Sequence, residues 1–147
     1  MRFASVIIDI PTRALDKAYD YAVPSDLEDA CQIGTTVLLT FSNRAAVGYV
    51  VDVSDHAPQG VDPARIRPIE RVLASSAFDK SQAHLALWMA REYAAPPADC
   101  VRLLVAPGQS MRVRRDGNDG PWQLVCDKMK PADDRWVGLG TVAADYV

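Results

Sequence analysis

Hydrophobic and polar residues alternate with a period of two in several short stretches before residue 75, which is typical of half-buried β-strands. In "ASVIIDIP", Val6 and Ile8 share one face, and Ile7 between them points to the other. In "KAYDYAVP", Tyr19 and Tyr21 share a face while Asp20 points the opposite way. Both stretches are therefore predicted to be strands, with an acidic side chain placed across the second strand from its two tyrosines.

Residues 35–53 are predicted to form a β-hairpin. "GTTVLLTF" is rich in β-branched residues, the turn "SNRA" follows, and "AVGYVVDVS" returns. Gly48 in the return strand predicts a bulge or a close approach of the backbone. The later stretch "RPIERVL" is predicted to be an edge or bulged strand, because Pro68 has no amide hydrogen for a sheet.

The periodicity changes to that of an amphipathic helix in "FDKSQAHLALWMAREYAAPP". Asp79 is a predicted N-cap with Gln82 as its capping-box partner, and Pro96 is expected to follow the helix end. The apolar positions at helical spacing are Leu85, Trp88, Met89 and Tyr93. We expect this apolar stripe to pack in the core.

These elements predict a mainly β fold, a small OB-like β-barrel with one packed amphipathic helix. The pattern alone does not separate it from an SH3-like barrel. Pro107 and Gly108 are predicted to close this first domain, residues 1–108. Residues 109–147 are predicted to be a linker and the first strands of a truncated second domain, with strands at "WQLVCDKM" and "RWVGL".

Composition fits a soluble globular protein, with 49% hydrophobic and 24% charged residues among 147. No apolar run is long enough for a membrane span, and "MRFASVIIDIP" does not resemble a signal peptide. We therefore expect a cytoplasmic protein without a membrane partner. The formal net charge of −3 excludes a long basic track for nucleic acid, so any such contact should be small and local.

Motifs of common enzymes are missing. The sequence has no P-loop, no G-x-G-x-x-G, no H-E-x-x-H and no G-x-S-x-G. Cys31, Cys100 and Cys126 form no C-x-x-C pair, so neither a metal site nor a disulfide framework is predicted. The sequence thus offers no catalytic residue and no enzyme activity. A nuclease that holds a metal between Asp9 and Asp20 is the weakest of the alternatives left open.

Four stretches, in this order and at this spacing, resemble the N-terminal domain of the PriA family of bacterial replication-restart (primosome) proteins. They are "VIIDIPTRALDKAYDYAVPSDL", "IGTTVLLTFSNRAAVGYVVDVSD", "RPIERVL" and "LALWMAREYAAPPADCVRLLVAPG". The resemblance implies an OB-like DNA-binding domain that recognises the 3′-OH end of the nascent leading strand at stalled forks. It also implies that the region from Gln109 begins a winged-helix domain.

In that family a superfamily 2 helicase with a zinc-binding insert comes later, although some members lack the helicase motifs. Zinc and ATP would then belong to absent C-terminal domains of the parent, and no cofactor is expected in this chain. The implied partners are DNA forks and single-stranded 3′ ends. Primosome proteins and single-stranded DNA-binding protein would be contacted through the absent domains.

The resemblance also implies the site residues. The family's end-binding pocket contains an aromatic-Asp-aromatic triplet, which matches Tyr19, Asp20 and Tyr21. Asp20 would accept a hydrogen bond from the terminal 3′-hydroxyl. Because strand alternation separates Asp20 from the tyrosines, we expect one tyrosine in the core and the other beside the base.

Two further positions carry over from the family less closely. Ser42 stands where the family often has glycine, and its hydroxyl either contacts the nucleotide or narrows the pocket. Arg67 matches a family lysine and would hold a phosphate, although it could equally be a solvated charge on an edge strand. The competing hypothesis is an interaction domain that docks helicase or primosome partners without end recognition, and Ser42 and the acidic pI favour it slightly.

Overall fold

A computed structural model of the chain describes residues 2–10, 17–105, 111–115 and 122–126. Its main element is a five-stranded antiparallel sheet, which confirms the predicted mainly β fold. The strands are β1 (Arg2–Ile8), β2 (Tyr19–Val23), β3 (Thr36–Phe41), β4 (Arg44–Ser54) and β5 (Arg71–Ala74). Their order across the sheet is β2-β1-β4-β3-β5, so the predicted hairpin is the pair β3–β4.

The sheet is OB-like but is not closed, because β2 and β5 are its two edges. A single parallel bridge joins β2 to the segment before β5. The amide of Ala22 donates to the carbonyl of Arg67, and the amide of Ile69 donates to the carbonyl of Ala22, each at 2.9 Å. Regular pairing of β5 begins only at Arg71, three residues after Pro68, in agreement with an irregular edge segment there.

The inner face of the curled sheet holds the main apolar cluster, which includes Val6, Ile8 and Val50. Gly48 confirms the predicted close approach, because a Cβ at this position would lie 2.3 Å from Cγ1 of Val6. The register shift between β1 and β4 falls elsewhere, at Ser5 and Val6. Gly48 is therefore needed for space in the cluster rather than for the bulge.

Two helices follow the sheet, α1 (Lys80–Glu92) and α2 (Pro97–Arg102). Asp79 and Gln82 form both hydrogen bonds of the predicted capping box. The helix ends before the prolines, since Ala94 adopts a left-handed conformation with φ of 50°. Helix α1 packs against α2 and β4, and α2 contacts β1.

The prediction that the apolar stripe of α1 packs in the core is wrong. Leu85, Trp88 and Tyr93 are 53%, 47% and 72% exposed. The buried positions are instead Ala83, Ala86 and Ala90. Small alanines allow a helix backbone to approach its neighbours closely, whereas the large side chains would hold it away. Periodicity correctly indicated a helix but gave the wrong buried face.

A second compact unit begins at Val105. It contains the strands β6 (Met111–Arg115) and β7 (Trp122–Cys126), which pair antiparallel. Strand β7 covers the first five residues of the predicted strand "WQLVCDKM", the last three of which lie outside the described residues, whereas β6 lies in a stretch predicted to be linker. The predicted strand "RWVGL" lies outside the described residues, and the winged-helix assignment of residues 109–147 stays a prediction.

Candidate functional site

Strand β2 separates the side chains of the Tyr-Asp-Tyr triplet as its alternation predicts. Tyr21 belongs to the inner apolar cluster, and Tyr19 packs against that cluster from its border. Asp20 is exposed on the opposite face, where its Oδ1 accepts a hydrogen bond of 2.8 Å from the Ser5 hydroxyl. The three residues therefore do not line one pocket from a single face of the sheet.

Tyr21 is the tyrosine that packs in the core, with only 5% of its surface exposed. Its hydroxyl donates a hydrogen bond of 3.0 Å to the carbonyl of Thr40 in β3. Burial raises the pKa of Tyr21, and the nearby Arg67 guanidinium partly opposes that effect. A buried ring cannot stack on a nucleobase. The hydrogen bond of Tyr21 instead connects β2 to β3 across the inner face.

Tyr19 is only half-buried and keeps part of its ring accessible. The ring packs edge-on against Phe41, with 5.1 Å between centroids, and the Lys17 ammonium lies 5.6 Å from its centroid. Phe41 ends β3 and orients Tyr19 at the rim of the sheet. Tyr19 is thus the aromatic residue of the triplet that can contact a ligand.

Backbone pairing also determines the direction in which the amide and carbonyl of Asp20 point. The amide and the carbonyl of Ala22 point away from β1 and form hydrogen bonds with Arg67 and Ile69. Ala22 therefore forms no backbone hydrogen bond with β1. Because these groups alternate in direction along a strand, those of Asp20 also point away from β1, to the outer edge of β2. Asp20 and Ser5 then form a non-hydrogen-bonded backbone pair, in which opposed side chains come closest.

Ser42 occupies the tight turn between β3 and β4. Ser42 and Asn43 both have positive φ values, 50° and 62°, which is typical of a type I′ turn. Glycine is the residue that adopts this conformation at least cost. The turn geometry therefore accounts for a glycine preference at position 42 without any ligand, and Ser42 is exposed.

Arg67 lies where β2 and the β3–β4 turn come together. Its carbonyl accepts from Ala22, and its Nη2 donates to Oδ1 of Asn43 at 3.4 Å. Its side chain is exposed and close enough to Tyr21 to affect that residue's pKa. The structure thus brings Arg67, Ser42 and the two tyrosines to one end of the sheet, with Asp20 on the reverse side of β2.

Three residues of this region were not found by sequence reasoning: Ser5, Phe41 and Asn43. Phe41 and Asn43 adjoin Ser42 in the sequence. Ser5 is separated from Asp20 by fifteen positions. The position of Ser5 opposite Asp20 depends on the register of β1 with β2, which no local pattern reports.

Asp9 and Asp20 do not form a paired carboxylate site. Asp9 has a nearly buried side chain that forms an ion pair with Arg102 of α2, beside Tyr49. Asp9 lies four residues along β1 from Ser5, the cross-strand partner of Asp20, or roughly 13 Å. Within the described ranges, no group of three His, Cys, Asp or Glu side chains could hold a metal ion.

Cys31 and Cys100 are buried and free, while the side chain of Cys126 lies outside the described part. Of the helices that the structure describes, none has the length and apolar character needed to cross a bilayer.

Comparison with known proteins identifies the family. The sequence model of the PriA 3′ DNA-binding domain (3′BD) family matches residues 5–106. The replication restart protein PriA of Synechocystis sp. is 30% identical over 113 residues, 77% of this chain. The replication restart protein PriA of Bacillus subtilis is 34% identical over 55 residues, 37% of this chain. The matched regions span only 13% and 7% of the lengths of those two proteins.

Proposed function

Because the chain belongs to the family of PriA 3′ DNA-binding domains and is thus a DNA-binding domain and not an enzyme, we propose that it recognises the 3′-hydroxyl end of a DNA strand. The biological target would be the nascent leading strand at a stalled replication fork. The observation that carries the proposal is an exposed carboxylate, Asp20, that a neighbouring hydroxyl orients on an edge strand.

Asp20 supplies the chemical test of the end. An ionised carboxylate accepts hydrogen bonds and donates none, so it favours a terminal hydroxyl. A terminal 3′-phosphate would bring negative charge against the same carboxylate and would be rejected. Ser5 donates to one carboxylate oxygen, which restricts the rotation of Asp20 before any ligand arrives.

The outer edge of β2 explains how a ligand could contact residues on both faces of one strand. A nucleotide that lies along this edge meets the outward amide and carbonyl of Asp20, its carboxylate on one side and the Tyr19 ring on the other. Contacts through backbone groups and an aromatic face depend little on the base. Such a site suits a protein that must bind ends of any sequence.

Arg67 is a cation that the fold holds beside this edge, through Ala22 and Asn43. A guanidinium there can pair with a phosphate of the terminal nucleotide. A single positioned cation is compatible with the acidic net charge of the chain, because recognition of one end requires few phosphate contacts.

The direct experiment uses single-stranded oligonucleotides of one sequence that end in 3′-OH or 3′-phosphate. Fluorescence anisotropy should show preference for the hydroxyl by roughly tenfold or more, as expected for about 1.5–3 kcal/mol from a charge-assisted hydrogen bond. Equal affinities would exclude end recognition, and cleavage of the oligonucleotide on addition of Mg²⁺ would revive the nuclease alternative.

A second candidate function is favoured by the exposed Leu85, Trp88 and Tyr93 of α1. Exposed large apolar residues on one helix suit a protein interface. Here the domain would dock helicase or primosome partners without reading the DNA end, and the two oligonucleotides above would bind alike. Helicase activity, ATP and zinc remain proposals for the longer protein, of which this chain would be one part.

A further inference from the structure

A cleft of about 510 Å³ lies between the segment that leads into β2 and the C-terminal end of α1. Its lining is mainly apolar and includes two cations. Its lining includes Lys17, Ala18, Leu87, Arg91, Ala95 and Pro97. Ala18 stands two residues before Asp20, so the cleft adjoins the proposed end-binding site along the chain.

The two cations of the cleft, Lys17 and Arg91, are both exposed. Arg91 forms no ion pair among the residues that the structure describes. Lys17 contacts the Tyr19 ring, which connects the cleft to the aromatic residue of the site. A cleft lined by apolar side chains and two exposed cations is complementary to a nucleotide, whose sugar and base are flat or apolar and whose phosphodiester is anionic.

We propose that this cleft binds the nucleotide on the 5′ side of the terminal one. Lys17 and Arg91 hold its phosphodiester, and Leu87 and Ala95 pack against its sugar and base. The inference rests on the proposed function, because the strand must be anchored at Asp20 for its next nucleotide to reach the cleft. It adds a second subsite, on the side of β2 that leads toward α1.

Arg91 also lies in the last turn of α1, where any cation stabilises the helix by interacting with its dipole. This structural role predicts a change in stability but no change in DNA binding. The proposed subsite predicts that DNA binding weakens and that stability changes little. Thermal unfolding measured beside binding therefore separates the two roles.

The test compares Arg91→Ala and Lys17→Ala with Lys80→Ala, a control at the other end of α1, in the full 147-residue chain. Oligothymidylates of one, two and four nucleotides, all ending in 3′-OH, are titrated at several salt concentrations. Both cleft variants should bind the longer oligonucleotides roughly three- to tenfold more weakly, and the slope of log K against log salt should fall by about 0.7 for each lost phosphate contact.

Arg91→Ala should keep the wild-type affinity for the mononucleotide and the wild-type preference for 3′-OH over 3′-phosphate. Unchanged affinity and salt slope in both variants would overturn the subsite while leaving end recognition standing. A wild-type protein that does not distinguish 3′-OH from 3′-phosphate would instead overturn the proposed function. The Lys80→Ala control should behave as wild type, and a loss equal to that of Arg91→Ala would mean non-specific electrostatics and would also overturn the subsite.

Discussion

The Ser5 hydroxyl donates a hydrogen bond to the Asp20 carboxylate across β1 and β2, with 2.8 Å between the two oxygen atoms. The two residues are directly opposed in the register of these strands. This contact holds Asp20 on the face away from the tyrosines, at an edge strand where its backbone groups point outward. The proposed end recognition therefore depends on a pair of residues and not on the triplet alone.

Replacing Ser5 with alanine should weaken binding of 3′-OH ends by roughly fivefold, which corresponds to about 1 kcal/mol. The reason is that Asp20 would gain rotamers that do not meet the terminal hydroxyl. Anisotropy titrations of Ser5→Ala would measure the loss. Ser81→Ala on the exposed surface of α1 serves as the matched control and should bind like wild type. Full affinity in Ser5→Ala would show that Asp20 needs no orientation by Ser5.

Arg67 and Arg65 provide a matched pair of exposed arginines two positions apart. Only Arg67 is anchored beside β2, through its carbonyl and through Asn43. Arg67→Ala should weaken binding of single-stranded 3′ ends and lower the salt slope by about 0.7, the value for one phosphate contact. Arg65→Ala should leave both quantities unchanged. Equal losses in both variants would mean that Arg67 acts only through net charge.

Ser42→Gly should stabilise the protein. Ser42 has a φ of 50°, a left-handed conformation that costs a non-glycine residue about 1 kcal/mol. Urea denaturation should therefore give a free energy of unfolding higher by about 0.5–1 kcal/mol. Ser81→Gly, inside α1, should lower it by about 0.5 kcal/mol. A destabilised Ser42→Gly protein would mean that the serine side chain itself stabilises the turn.

Stability should fall as pH rises above about 10, the ordinary pKa of tyrosine. Burial raises the folded-state pKa of Tyr21, and that of Tyr49 is raised for the same main reason. The unfolded chain then loses these protons first, so their stabilising contribution is complete below pH 10 and is lost above it. Tyr21→Phe should make this decline shallower in denaturation curves measured from pH 8 to 11. Tyr49 and the buried Cys31 and Cys100 thiols, whose pKa values burial also raises, would account for the remainder. An unchanged decline would assign the whole effect to other groups.

Local patterns predicted those features of the fold that depend on neighbouring residues. Alternation placed Asp20 opposite Tyr19 and Tyr21, and the capping box placed the start of α1 at Asp79 and Gln82. Both follow from the geometry of a single strand or a single helical turn. Such features need no knowledge of how the elements pack together.

Features that depend on packing between elements were missed. Periodicity predicts the apolar stripe of α1 as its buried face, yet Ala86 and Ala90 are buried while Trp88 is exposed. Periodicity identifies an apolar face but not how close the neighbouring surface comes. The contacts of Ser5 with Asp20 and of Asn43 with Arg67 likewise depend on register and on the bridge at the sheet edge.

The most direct measurement of the central claim compares end discrimination in wild type and in Asp20→Ala. The quantity is the ratio of affinities for the same oligonucleotide ending in 3′-OH or 3′-phosphate, with circular dichroism to show that the variant folds. Wild type should prefer 3′-OH by roughly tenfold or more, and Asp20→Ala should bring the ratio close to one. A folded Asp20→Ala protein that keeps the wild-type ratio would contradict the assignment of Asp20 as the residue that reads the 3′-hydroxyl.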